Sequence, residues 1–224
     1  MRVTQSLSVT IFSVLLALSA PVRAETDADD PVMAALGDAS QKAAVARQKD
    51  LLSDPASPVI GNPNGNVTIV EFTDYQCPYC KAAEPRLQAL LKEDPNVRLV
   101  VKEFPILTKE SVTASRAALA SVKQGKYTAF HQAMMEHKGQ ITVENVFEYA
   151  KKVGLNVDQL KKDMNAPEIA DQIIENLKLA RAMKISVVPG LVVDTKVLSG
   201  VSNKTSTAKI DFKQEVAMAR AEKK

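Results

Sequence analysis

The chain has 224 residues, 46% of them hydrophobic and 25% charged, with 29 basic against 26 acidic side chains and two cysteines. That length suits one domain carrying an insertion, or two small ones, and the near-balance of charge offers no basic footprint for nucleic acid. Two cysteines are too few for a disulfide-stapled scaffold and leave a single intramolecular pair.

Arg2 precedes an apolar run from Leu7 to Ala20, and Val22-Arg23-Ala24 follows with the small-residue spacing of a cleavage site. The run falls short of the roughly 20 residues that cross a bilayer, so residues 1–24 read as a signal peptide rather than an anchor. Cleavage near Ala24 removes Arg2 and Arg23 and no acid, which leaves 27 basic against 26 acidic residues, a net charge of +1. The expectation is a periplasmic mature chain.

Residues 25–58 are Ala-rich and charged and are expected to form an N-terminal helical arm starting near Pro31. Val32, Leu36, Ala39, Ala43 and Ala46 recur at helical spacing as a narrow seam, weakened by Gly37. The seam suits a helix lying on the body; its other reading is a self-association surface across residues 31–52.

After the turn-rich stretch Gly61 to Asn66, the β-branched run Val67 to Phe72 predicts a buried strand. A helix carrying both cysteines follows and ends at Asp94-Pro95-Asn96. Val97 to Phe104 predicts a second strand, parallel to the first across the helical crossover. From residue 111 to 184 the pattern is helical, with capped starts at Thr142 and Asn156. Strand character returns at Leu191 to Val193 and near Lys196 to Leu198, and Ser206 to Lys223 reads as a closing helix. The fold class is α/β: one domain in two parts, 59–110 and 185–224, interrupted by helices at 111–184.

Cys77-Pro78-Tyr79-Cys80 carries the chemistry. Cysteines three apart on a first helical turn lie on one side, within reach of disulfide geometry, and Pro78 suits the first helical position. A thiol at the helix N-terminus meets unpaired N–H groups and the positive dipole end, which lowers its pKa. Cys77 is therefore the expected nucleophile, and Cys80, one turn in and less exposed, the resolving thiol. A zinc site would need four ligands; the two histidines, His131 and His137, are six apart and share no helical face, so no metal is expected. His131 reads as a packing or surface residue, and Met134-Met135 as core filling.

The stretch Phe72-Thr73-Asp74-Tyr75-Gln76-Cys77-Pro78-Tyr79-Cys80-Lys81 resembles the active-site signature of the DsbA-like thiol:disulfide oxidoreductases, within the thioredoxin superfamily. Gly61-Asn62-Pro63 and Lys102 to Leu107 extend the resemblance over residues 59–222. It implies a thioredoxin-like fold with an inserted helical domain, and no cofactor beyond the sulfur pair, which Pro78 and Tyr79 would tune. Pro85 falls at the family's helix-kinking proline. Glu71 falls where the superfamily often buries an acid beneath the disulfide, with Lys102 on the neighbouring strand as its candidate partner. Val188-Pro189 matches the cis-proline loop that would pair with an extended substrate, although Gly190-Leu191 departs from the usual polar-Phe continuation.

The same resemblance implies reduced or unfolded exported proteins as substrates and a membrane redox partner, DsbB-like for an oxidase or DsbD-like for an isomerase. Disulfide formation is the primary expectation. The stretch from Asp30-Pro31 to Pro55 is similar to the arm of ScsC/Com1-like members, which implies an oligomeric isomerase or reductase as the alternative. Cu(I) binding by the two thiolates is a third reading.

Overall fold

The computed structural model describes residues 31–199 and 207–223; the signal-peptide reading of residues 1–24 lies outside them. Two helices lead, α1 (Pro31–Ala46) and α2 (Gln48–Leu52), followed by β1 (Val59–Gly61), β2 (Val67–Thr73), α3 (Pro78–Glu93) and β3 (Val97–Glu103). A helical block comes next: α4 (Lys109–Ser121), α5 (Tyr127–Met135), α6 (Val143–Lys152), α7 (Val157–Asp163) and α8 (Pro167–Ala182). The chain then returns through β4 (Gly190–Val193), β5 (Lys196–Ser199) and α9 (Phe212–Glu222).

The strands form one mixed sheet in the order β1-β3-β2-β4-β5. β2 and β3 run parallel, as a strand pair joined through a helix must; β1, β4 and β5 pair antiparallel with their neighbours. Because side chains alternate along a strand, Ile69, Leu99, Val101, Leu191 and Val193 join the core beneath α3 and the helical block. Val70, Phe72, Val100 and Val192 join a second core with α8 and the leading helices. This is the thioredoxin-like arrangement expected from the sequence, with a helical block set into it.

Local signals start the block's helices. Thr108 and Thr142 each close a capping box, and Asn156 caps α7 by accepting the Gln159 N–H; each such cap contributes about 1 kcal/mol. Four alanines of α4, Ala114, Ala117, Ala118 and Ala120, are buried, so small side chains allow the neighbouring helices to close on it.

Three expectations need correction. Val59–Gly61 is a strand, which the turn-rich reading overlooked: three residues at a sheet edge are too short to show a period of two. The arm does lie on the body, but through a face rotated from the Val32 to Ala46 seam. Ser40 and Ala44 are the buried residues of α1 among those described; Ser40 Oγ donates to Met183 O at 2.6 Å and Gln41 bridges Thr195 O and Val197 N. Val32, at 64% exposure, and Val45, at 56%, remain outside. The closing helix begins at Phe212, capped by Asp211, later than the sequence pattern suggested, after a separate short turn at Thr207–Lys209.

Candidate active site

The loop between β2 and α3 is organised by Asp74. Its Oδ1 accepts the Gln76 N–H at 2.8 Å, its Oδ2 accepts the N–H groups of Ile106 and Leu107, and its carbonyl accepts the Cys77 N–H at 3.0 Å. One buried carboxylate thus binds the cysteine loop to the segment following β3. Gln76 makes a second tie, because its side-chain amide donates to Ile141 O and accepts from Ile141 N, anchoring the helical block beside the cysteines.

Cys77 is the N-cap of α3 and Pro78 its first residue. The Cys80 N–H donates to Cys77 Sγ at 3.2 Å, the role an Asp or Ser oxygen usually takes. The two thiols are free, and their environments push them apart. Cys77 is held below the ordinary thiol pKa, chiefly by the Cys80 thiol, with burial opposing and the N–H groups of Cys80 and Tyr79 assisting. Cys80 is pushed well above it by burial, by its hydrogen bond to Cys77 and by the charge of Glu71. Burial is the largest cause of the Cys80 rise, and Cys80, at 0% exposure against 2% for Cys77, is the less exposed thiol as the sequence suggested. Tyr79, at 63%, projects outward beside them.

The Val188–Pro189 peptide bond is cis, and Val188 O faces Cys77 Sγ at 3.5 Å. Ser199 Oγ holds Pro189 O at 2.9 Å. Gly190 is demanded by space, since a Cβ there would lie 2.6 Å from Ile185 Cγ2 and 3.2 Å from Phe72 Cβ.

Glu71 is fully buried, and neither carboxyl oxygen finds a hydrogen-bond partner among the described residues. Burial, then the charges of Glu84 and Cys77, push its pKa well above the ordinary carboxylate range. The expected partner, Lys102, lies elsewhere. Register places Glu71 opposite Val101 and Phe72 opposite Lys102, so Lys102 projects to the other face of the sheet. There its Nζ binds Asp54 Oδ2 at 2.9 Å, Ser57 Oγ at 2.7 Å and Asp50 O at 2.8 Å, locking the turn after α2 onto β3.

A buried polar cluster behind the cysteine loop escaped the sequence reading. Glu103 accepts the hydroxyls of Tyr75 and Tyr127, each at 2.8 Å, and of Ser115 at 2.6 Å. Because the Tyr75 proton is engaged there, His131 Nδ1 is the donor in its 2.8 Å contact with the Tyr75 oxygen. His131 Nε2 faces Glu84 Oε2 at 3.4 Å. Against burial, His131 and Gln88 hold the Glu84 carboxyl below its ordinary value. His131 is therefore a fully buried member of a polar network, where the sequence suggested packing or surface. His137 bonds Tyr149 and Gln140 instead.

Fold and site together define a thioredoxin-like protein whose Cys-x-x-Cys pair opens a helix facing a cis-proline turn. The chain belongs to the DSBA-like thioredoxin domain family, whose model matches residues 68–209. A thioredoxin-like oxidoreductase from Silicibacter pomeroyi DSS-3 is 42% identical, with a TM-score of 0.71 over 77% of this chain and 97% of that one. A linker-deleted mutant of Proteus mirabilis ScsC is 26% identical, with a TM-score of 0.73 over 85% of this chain and 87% of that one. Among curated proteins, the Na(+)/H(+) antiporter NhaA 1 of Salinispora arenicola is 29% identical over 133 residues, 58% of this chain. The matched part is 20% of that antiporter's length, and no helix among the described residues is long and apolar enough to cross a membrane.

Proposed function

We propose that this protein forms disulfides in exported polypeptides through Cys77 and Cys80. The observation that carries the reading is the Cys77 sulfur at the N-cap of α3, accepting the Cys80 N–H at 3.2 Å beside a fully buried Cys80, an arrangement that holds one thiol low and pushes the other high. A stabilised Cys77 thiolate is a good leaving group and favours the reduced pair, which makes the oxidised pair a disulfide donor. A substrate thiolate attacks Cys77, the Cys77–Cys80 bond breaks, and Cys80 departs with its electron pair. Glu71, whose pKa burial raises and whose charge acts on Cys80, is the residue assigned to supply the proton that Cys80 requires, through a rearrangement or a water since its carboxyl makes no direct hydrogen bond. A second substrate thiolate then attacks the substrate sulfur and releases Cys77, so two electrons have passed from substrate to protein. Pro78 and Tyr79 shape the turn between the sulfurs, and Val188 with Pro189 offers backbone for an extended substrate strand.

Export rests on the leader-like residues 1–24, and periplasmic residence follows from it. A membrane oxidant of the DsbB type would return the pair to the disulfide; a DsbD-like donor would serve an isomerase. The test equilibrates mature protein in glutathione redox buffers and quantifies free thiols by alkylation and mass spectrometry, since the chain contains no tryptophan to report the change. A potential less negative than that of glutathione is expected; a strongly reducing one would overturn the assignment as oxidant.

A second reading, an oligomeric isomerase or reductase of ScsC type, is favoured by the likeness to Proteus mirabilis ScsC and by the outward Val32 and Val45 of α1. Several Cys77 thiols in one assembly would suit reshuffling. A solution mass equal to one chain, by sedimentation, removes its premise.

A further inference from the structure

A groove of about 570 Å³ opens between the segment after β3 and the C-terminal end of α8. Phe104, Ile106, Leu177 and Ile185 line it, with Arg181 and Lys184 beside them. Both basic side chains are exposed, and neither joins an ion pair among the described residues. Their charge is unspent.

Lys184 occupies a conformation that argues for a use. α8 ends in a Schellman-type turn in which Ile185 N–H donates to Ala180 O at 2.8 Å and Lys184 N–H to Arg181 O at 3.0 Å. The turn puts Lys184 at φ 58°, a left-handed position where glycine is favoured and a lysine is conformationally costly. Such outliers gather where a side chain serves a binding surface.

The walls of the groove lead along the chain to the sulfur site. Ile185 and Ser186 lead directly into Val187 and Val188, whose carbonyl faces Cys77 Sγ. On the opposite wall, Ile106 is held to the cysteine loop by Asp74. Exposed Tyr79, Leu107 and Val187 add an apolar border.

We propose that this groove selects substrate polypeptides in which the reacting cysteine is followed or preceded, within a few residues of extended chain, by an apolar side chain and then by acidic ones. The apolar residue lies against Ile106 and the part-buried Leu177, over the buried Phe104 and Ile185, and the carboxylates meet Arg181 and Lys184. This rests on the disulfide-exchange reading and names the substrate class of that same site. The groove itself makes no bond; the substrate dithiol still passes two electrons to the Cys77–Cys80 disulfide.

The test follows oxidation of dithiol Cys-x-x-Cys peptides flanked on both sides by leucine and either two glutamates, two serines or two lysines. Oxidised full-length wild type and the Arg181→Glu/Lys184→Glu variant are compared by quenched alkylation. Taking each variant's acidic-to-basic rate ratio relative to wild type cancels the peptides' own thiol reactivity. The acidic-to-basic rate ratio of wild type is expected to exceed that of the charge-reversed variant by about three- to tenfold, the effect of two exposed charge contacts, with the difference shrinking as salt rises. Lys184→Gly provides a second arm: it should melt at a higher temperature than wild type yet lose part of the acidic preference. Equal ratios in wild type and the charge-reversed variant, with all peptides oxidised, would overturn the groove's role alone. Oxidation of none of the peptides would overturn the exchange reading and the groove with it.

Discussion

The Cys80 amide donates to Cys77 Sγ across 3.2 Å, so closing the first turn of α3 and stabilising the Cys77 thiolate are one interaction. The Cys80 thiol adds the largest contribution to the lowered Cys77 pKa. Replacing Cys80 with alanine removes that donor and is expected to raise the Cys77 pKa, read as an upward shift in the pH midpoint of iodoacetamide alkylation. An unchanged midpoint would leave the helix terminus as sole cause.

The same depression predicts a pH-dependent stability difference between redox forms. A lowered thiol pKa stabilises the reduced fold fully above the unfolded value of about 8.5, and the gain is lost as pH falls through the folded value. The disulfide form lacks this thiol. Melting temperatures measured from mildly acid pH up to about pH 8, below the range in which the raised Cys80 thiol opposes the effect, should therefore move in favour of the reduced form as pH rises; a difference constant in pH contradicts the account.

Glu71 works in the opposite sense. Its raised pKa means that the fold holds a proton which the unfolded chain releases above about 4.3, so wild type loses stability as pH rises from there through the folded value. Glu71→Gln removes that loss and should exceed wild type near neutrality, by about 1.4 kcal/mol for each pH unit over which the wild-type fold retains the proton. The gain should vanish at pH 4. Denaturant titration at both pH values measures it, while slower release of mixed disulfide in the variant would report the proton-delivery role.

Glu103 gathers three hydroxyl donors from β2–α3, α4 and α5. Glu103→Leu strands all three in a dry core and is expected to cost about 3–5 kcal/mol, in the range of breaking a buried charged network. Thermal melting of the variant checks this, and a loss below 1 kcal/mol would show that the hydroxyls find other acceptors.

Gly190→Ala forces a Cβ against Ile185 and Phe72. Overpacking of this kind costs about 1–3 kcal/mol. Because Gly190 adjoins Pro189, peptide oxidation should slow as well as stability fall; a variant matching wild type in both would mean that Ile185 yields freely.

What the sequence alone determined about this protein is what acts over three or four residues. The Cys77–Cys80 spacing, Pro78 at the first helical position, the caps at Thr142 and Asn156 and the β-branched run of β2 are local chemistry and were legible. The Val188–Pro189 turn was legible only by resemblance, because nothing nearby in the chain dictates a cis bond. Tertiary structure decided the rest. Lys102 and Glu71 stand on adjacent strands, but parallel register turns them to opposite faces, and register depends on how whole strands pair. The arm's docking face was set by Ser40 and Gln41 finding backbone partners more than 140 residues away. The Glu103 cluster draws side chains from positions 75, 103, 115, 127 and 131. A buried polar group must find its partners wherever folding brings them, and the periodicity of a single segment holds no record of where that is.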